Sequence, residues 1–110
     1  MESGSLERAG LRYGYQIHRH PEPELAPVLF VSGAFQTMAS WGEFVEVFRP
    51  RAMVILVDPP GTGESDVLPA DLGFDFLAEC VLHLLDHLDV EQVNLVALSL
   101  IHISEPTRLR

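Results

Sequence analysis

The chain has 110 residues, of which 47% are hydrophobic, and it contains 8 Gly and 8 Pro. This balance is typical of a single soluble globular domain and unlike that of a disordered or fibrous chain. Sixteen Asp and Glu residues against seven Arg and no Lys give a net charge of −9, which argues against nucleic acid or an anionic membrane surface as a partner.

The cellular location is predicted from what the sequence lacks. The single cysteine, Cys80, cannot form an internal disulfide, and the polar residues 1–5 lack the basic and apolar stretches of a secretory signal. No apolar run approaches the roughly 20 residues that span a bilayer. We therefore expect a cytoplasmic protein with no membrane segment.

The first part of the chain predicts two strands separated by an exposed connection. After a polar leader at residues 1–5 and a turn at Gly10, apolar and polar side chains alternate over residues 11–18, which is typical of a strand with one buried face. Residues 20–27 are rich in proline and acid and predict an exposed connection. The apolar run at residues 28–31 predicts a strand that is covered on both faces.

Helices and buried strands alternate in the rest of the chain. Apolar residues at helical spacing predict a helix that includes Trp41 and Phe44, both expected in the core rather than in an acyl pocket, and that ends before Pro50. Residues 53–57 and 93–97 predict two more buried strands on either side of a longer helix. The apolar stripe of that helix consists of Phe74, Leu77, Val81, Leu84, Leu85 and Leu88. This alternation predicts a parallel sheet with helices on its faces.

Three features, taken in order, resemble the α/β-hydrolase superfamily over residues 5–99. The strand at residues 28–31 runs into Ser32-Gly33-Ala34-Phe35, which looks like the family's oxyanion loop. The segment Asp58-Pro59-Pro60-Gly61-Thr62-Gly63-Glu64-Ser65-Asp66 closely resembles the family's D-x-x-G-x-G-x-S-D loop. The strand at residues 93–97 runs into Leu98-Ser99, where the family has its nucleophile elbow.

The resemblance implies the fold class and the domain limits. The expected fold is the N-terminal part of an α/β-hydrolase doubly wound, mostly parallel sheet, with about five strands and two helices, truncated. Residues 1–97 would form this part of the core. Residues 98–110 are expected to be a non-native tail, because residues 98–108 resemble the translation of a transposon adapter used in sequencing libraries.

The resemblance also implies a function. The whole protein would be a serine hydrolase that cleaves a small ester, thioester or lactone through an acyl-enzyme, with no cofactor. Ser99 would be the nucleophile, and the backbone N–H groups of Ala34 and Leu100 would stabilise the oxyanion.

The other implied site residues are structural or absent. Asp58, Gly61, Gly63 and Ser65 would stabilise the loop after the second buried strand, with Ser65 capping the segment that follows. The acid and the histidine of the triad should come after the nucleophile. His102 and Glu105 lie too close to Ser99 to serve, so we expect the 110-residue chain to be inactive by itself.

Alternative functions remain open at this stage. A native Asp at position 99 would indicate an epoxide hydrolase or a dehalogenase. A non-catalytic relative would use the same sheet to bind a ligand or another protein. The chain could also be an artefactual reading frame with no biological function.

Other reactive side chains have simpler interpretations. His83 and His87 are one helical turn apart, but Leu84 stands where H-E-x-x-H has Glu, which favours a solvated helix face over a metal site. Cys80 adjoins the apolar stripe and is expected to be a buried small hydrophobe. Gly61-Thr62-Gly63 lacks the third glycine and the lysine of nucleotide-binding loops, so no nucleotide is expected.

Overall fold

The computed structural model describes residues 1–32, 37–60, 65 and 74–97. Five strands and two α-helices lie in this part of the chain, and a 3₁₀ turn at Met38–Trp41 leads into the first helix. The elements are, in order, β1 (Glu2–Arg8), β2 (Leu11–His18), β3 (Val28–Val31), α1 (Gly42–Phe48), β4 (Val54–Asp58), α2 (Phe74–His87) and β5 (Asn94–Ala97). The strands and helices predicted from hydrophobic patterns are confirmed to within one or two residues at their ends.

The strands form one mixed sheet with the order β1-β2-β4-β3-β5. β3 is parallel to both β4 and β5, whereas β2 is antiparallel to β1 and β4. The parallel strands β3 and β4 are continuous apolar runs, because helices cover them on both faces. The prediction of a buried strand at residues 93–97 is wrong for β5, where Asn94 is exposed and Leu95 and Val96 are only partly buried, because β5 has a paired strand on one side only among the described residues. The predicted fold class is confirmed, with antiparallel pairs confined to the N-terminal side of the sheet.

The N-terminal strand was missed in the sequence. Residues 2–8 form β1, so the interpretation of residues 1–5 as a polar leader is wrong. β1 and β2 form a hairpin in which Glu2 pairs with Ile17 and Arg8 with Leu11. Its two-residue turn has φ of 52° at Ala9 and 81° at Gly10, the left-handed values that suit the twist of a tight hairpin. β1 lies at the sheet edge and is largely exposed, so its sequence carries no buried pattern.

The two faces of the sheet have separate cores, because successive side chains of a strand point to opposite faces. On one face, Leu29 and Val31 of β3 pack with α2 in a cluster that also includes Tyr13. On the other face, Val28 and Phe30 pack with Trp41 and α1. One helix therefore covers each face of β3 and β4, as expected for a doubly wound sheet.

Helix α2 ends in a hydrogen-bonded turn that precedes β5. The N–H of Val90 bonds the carbonyl of Leu85 at 2.9 Å, and the N–H of Asp89 bonds that of Asp86 at 3.1 Å. These two bonds form a Schellman motif, in which the residue after the helix commonly has a left-handed backbone, and Asp89 has φ of 57°. Val90 and Leu85 are both buried in the α2-side core, which anchors the turn.

Candidate functional site

The carboxyl ends of the three parallel strands lie level with one another. Val31, the last residue of β3, pairs with Val57 of β4 on one side and with Ala97, the last residue of β5, on the other. The chain leaves β3 towards α1 and leaves β4 towards α2, and these helices lie on opposite faces. Such a divergence creates a crevice at the carboxyl edge, where open α/β sheets bind their ligands.

Several residues predicted for the site lie outside the described residues. These are the predicted nucleophile Ser99, the predicted oxyanion donors Ala34 and Leu100, and the loop residues Gly61 and Gly63. Their assignment stays a prediction. The two predicted site residues that the structure describes are Asp58 and Ser65.

Asp58 and Ser65 are joined at the carboxyl end of β4. The Ser65 hydroxyl donates a hydrogen bond to the backbone carbonyl of Asp58. The same hydroxyl accepts a hydrogen bond from the N–H of Gly14, at 3.0 Å. Asp58 is only 4% exposed. The hydroxyl of Ser65 thus connects the end of β4 to β2, a contact that spans 51 residues of sequence.

Ser32 follows β3 and is completely buried. Its backbone N–H donates to the Val57 carbonyl at 3.0 Å, which continues the parallel ladder by one residue. Among the residues that the structure describes, its Oγ has no hydrogen-bond partner, and the same holds for the buried Nε1 of Trp41. A buried hydroxyl without a partner costs free energy, and here it lies at the carboxyl edge, on the first residue of the predicted oxyanion loop.

An open cleft of about 420 Å³ adjoins this edge. Ser65 and Gly14 line it together with Met38, which precedes α1. Its other side is the β1–β2 hairpin, which contributes Ser3, Gly4, Ser5, Arg12, Tyr13, Tyr15 and Gln16. The cleft has the size of a small-molecule site, and its lining is mainly polar.

The aromatic residues near α1 divide into buried and exposed ones. Trp41 is 3% exposed, and its ring lies 5.1 Å from that of Phe30, so it belongs to the core as expected. Phe44 is 52% exposed, so its predicted core position is wrong. It contacts the edge of Trp41, with 5.8 Å between ring centroids. α1 is the only α-helix on this face in residues 37–60 and 74–97, and nothing described covers the outer side of Phe44.

The face of α2 that was expected to be solvated contacts β2. Nδ1 of His83 lies 2.9 Å from the Tyr13 hydroxyl, and the ring of His87 lies 6.2 Å from that of Tyr15. The solvated-face interpretation is therefore wrong for His83, which is partly buried. Among the described residues, no group of three His, Cys, Asp or Glu side chains could hold a metal ion.

Burial raises the pKa of two other side chains at the interface between α2 and β2, Cys80 and Tyr13. Cys80 is fully buried, as expected, and burial raises the pKa of its thiol to about 11. Burial likewise raises the pKa of the Tyr13 phenol. Both groups therefore stay protonated at neutral pH. Tyr13 was not singled out in the sequence, since its position in an alternating strand indicated only a buried ring.

No helix within residues 1–32, 37–60 and 74–97 is long and apolar enough to cross a membrane.

Comparison with known proteins gives a consistent set of relatives. The profile of the family described as alpha/beta hydrolase fold matches residues 26–100. A poly(3-hydroxyalkanoate) depolymerase from Ectopseudomonas oleovorans is 33% identical over 81 residues, which are 74% of this chain and 29% of that protein.

Solved structures show the same fold. A hydrolase from Pseudomonas aeruginosa matches with a TM-score of 0.84 and 24% identity, over 97% of this chain and 43% of its own. The enol-lactonase from Burkholderia xenovorans matches with a TM-score of 0.80 and 19% identity, over 92% of this chain and 39% of its own. The chain thus spans less than half the length of each of these relatives.

Proposed function

Because this chain belongs to the alpha/beta hydrolase fold family, we propose that it forms the N-terminal part of the core of a serine hydrolase. The reaction is the cleavage of a small ester-like substrate through an acyl-enzyme. The nucleophile is a serine at position 99, where this sequence has Ser99, and the backbone N–H groups of Ala34 and of the residue at position 100, here Leu100, bind the oxyanion. No cofactor takes part. The protein acts in the cytoplasm on a small molecule rather than on nucleic acid or a membrane.

The register between β3 and β5 supports this proposal most directly. Val31 and Ala97 are paired neighbours at the carboxyl edge. Ala34 follows the first of them by three residues and Ser99 follows the second by two. Adjacent parallel strands lie only about 4.8 Å apart, so both segments leave the sheet within a few ångströms of each other. A nucleophile and its oxyanion donor need this proximity.

The names of two relatives support an ester as the bond that is cleaved. Poly(3-hydroxyalkanoate) is a polyester and an enol-lactone is a cyclic ester, so both named substrates contain the same type of bond. One serine mechanism serves both substrates, because the acyl carbon is attacked in each case.

The 110-residue chain is proposed to be inactive by itself. The acid and the histidine of a triad should follow the nucleophile, and His102 and Glu105 lie too close to Ser99 in the sequence to serve. An activated ester such as p-nitrophenyl butyrate and a fluorophosphonate probe test this point. We expect no turnover above buffer and no covalent labelling. Turnover that disappears in a Ser99→Ala variant would contradict inactivity.

The hydrolase proposal has its own test. The reading frame is extended from source DNA past Ala97, and the resulting longer protein is assayed with the same ester and the same probe. We expect turnover and stoichiometric labelling that are both abolished when the residue at position 99 is changed to Ala. A folded longer protein that shows neither would overturn the serine hydrolase in favour of a non-catalytic relative.

A further inference from the structure

The Ser65 hydroxyl lies where two strands separate. Gly14 of β2 and Asp58 of β4 are register partners, and they form the last pair of that antiparallel ladder at the carboxyl end of β4. Ser65 accepts from the N–H of one and donates to the carbonyl of the other. A hydroxyl can do both at once, because it has one proton and two lone pairs.

This arrangement fixes Ser65 beside the end of β4. Ser65 lies seven residues after Asp58, and the bond between them holds these two residues together. The bond from Gly14 attaches Ser65 to a second strand as well. Pro59 and Pro60, which follow Asp58, are both buried, so the backbone that leaves β4 has little freedom to take another direction.

The attachment point borders the candidate site. Asp58 directly follows Val57, whose carbonyl accepts the N–H of buried Ser32 at the end of β3. Ser65 and Gly14 also line the cleft beside Met38. Gly14 leaves this space open, since a Cβ there would meet only Met38 Cε and a Gly4 carbonyl, at 3.9 and 3.8 Å.

We propose that Ser65 is a positioning residue for the hydrolase site. Its hydroxyl bridges the last pair of the β2–β4 ladder and holds Ser65 against both strands, so that the wall of the cleft that Ser65 and Gly14 form is in place before substrate binds. The inference rests on the proposed function for its purpose, but the bridge itself is a property of the folded chain. Sites whose supporting residues are fixed in advance hold reacting groups more accurately.

The test is amide hydrogen exchange of the 110-residue chain, measured by NMR at Gly14, with Ile17 of the same strand as an internal reference. In a Ser65→Ala variant we expect exchange at Gly14 to become about fivefold to tenfold faster, as for the loss of one hydrogen bond. Exchange at Ile17 should change less than twofold. A Ser65→Thr variant keeps the hydroxyl, and we expect it to restore the Gly14 rate to within about threefold of the wild-type rate.

A Ser3→Ala variant is the matched control, since it removes another hydroxyl that lines the cleft and should leave the Gly14 rate unchanged. Unchanged protection of Gly14 in Ser65→Ala would overturn the proposal. An equal acceleration at Gly14 and Ile17 would also overturn it, because the effect would then be global destabilisation. Failure of Ser65→Thr to restore protection has the same consequence. None of these readouts depends on catalysis, so a failure here is distinct from a failure of the hydrolase proposal.

Discussion

Tyr13 Oη lies 2.9 Å from Nδ1 of His83, across the interface between β2 and α2. The same phenol donates its proton to the backbone carbonyl of Cys80, also at 2.9 Å. A phenol has one O–H, so towards His83 the oxygen acts as an acceptor and Nδ1 carries the proton. The buried phenol therefore connects two successive turns of α2 to the sheet.

Loss of this phenol should destabilise the chain. In Tyr13→Phe the ring remains, but His83 Nδ1–H loses its buried acceptor, so we expect the free energy of unfolding to fall by about 1–3 kcal/mol. Urea unfolding at low micromolar concentration, followed by circular dichroism, measures this. Tyr15→Phe is the matched control, because Tyr15 is only partly buried. Equal losses in both variants would contradict the assignment.

Removal of the Ser32 hydroxyl should not lower the free energy of unfolding. Its Oγ is buried with no partner among residues 1–32, 37–60, 65 and 74–97, so Ser32→Ala removes an unsatisfied polar group. The free energy of unfolding should stay constant or rise by up to about 1 kcal/mol. The urea midpoint gives the sign. A decrease of more than about 1 kcal/mol would show that the hydroxyl makes a stabilising bond in the folded chain.

Alkaline pH should destabilise the chain through Cys80. Burial raises the pKa of its thiol to about 11, whereas an exposed thiol titrates near about 8.5. The folded state therefore keeps a proton that the unfolded state loses. The stability that the protonated thiol contributes to the folded state is complete below about pH 8.5 and is lost as pH rises towards about 11. Urea midpoints between about pH 8 and pH 10 measure the slope, which should be shallower in Cys80→Ala. Identical slopes would exclude a thiol origin.

Relief of the strained hairpin turn should stabilise the chain. Ala9 has φ of 52°, a region that costs a residue with a Cβ about 1 kcal/mol. Ala9→Gly should raise the free energy of unfolding by up to about that amount. Ala39→Gly is the control: Ala39 lies in the 3₁₀ turn, where glycine should be neutral or destabilising. A lower urea midpoint for Ala9→Gly would indicate that the turn is unstrained.

Much of the fold could be predicted from the sequence. The runs at residues 28–31 and 54–57 are apolar without interruption because helices cover both faces of β3 and β4. The stripe of α2 is apolar because it packs on one of these faces. β1 could not be predicted in this way, since an exposed edge strand buries too little to leave a periodic pattern.

The site was predictable only as a motif. Asp58 and Ser65 were recognised from their spacing in the loop after β4. Gly14, however, pairs with Asp58 in the sheet and donates a hydrogen bond to Ser65, and it lies 51 residues before Ser65. No local pattern marks such a pair. The same holds for Tyr13 and His83, which are 70 residues apart.

The sequence by itself determined where buried segments begin and end, because buried positions require apolar side chains and these recur at regular intervals along the chain. The tertiary structure decided which segments meet: it placed β4 between β2 and β3, brought the ends of β3 and β5 level, and set Ser65 against Gly14. Burial constrains each residue separately, whereas pairing depends on how distant strands are ordered, and that order exists only once the sheet has formed.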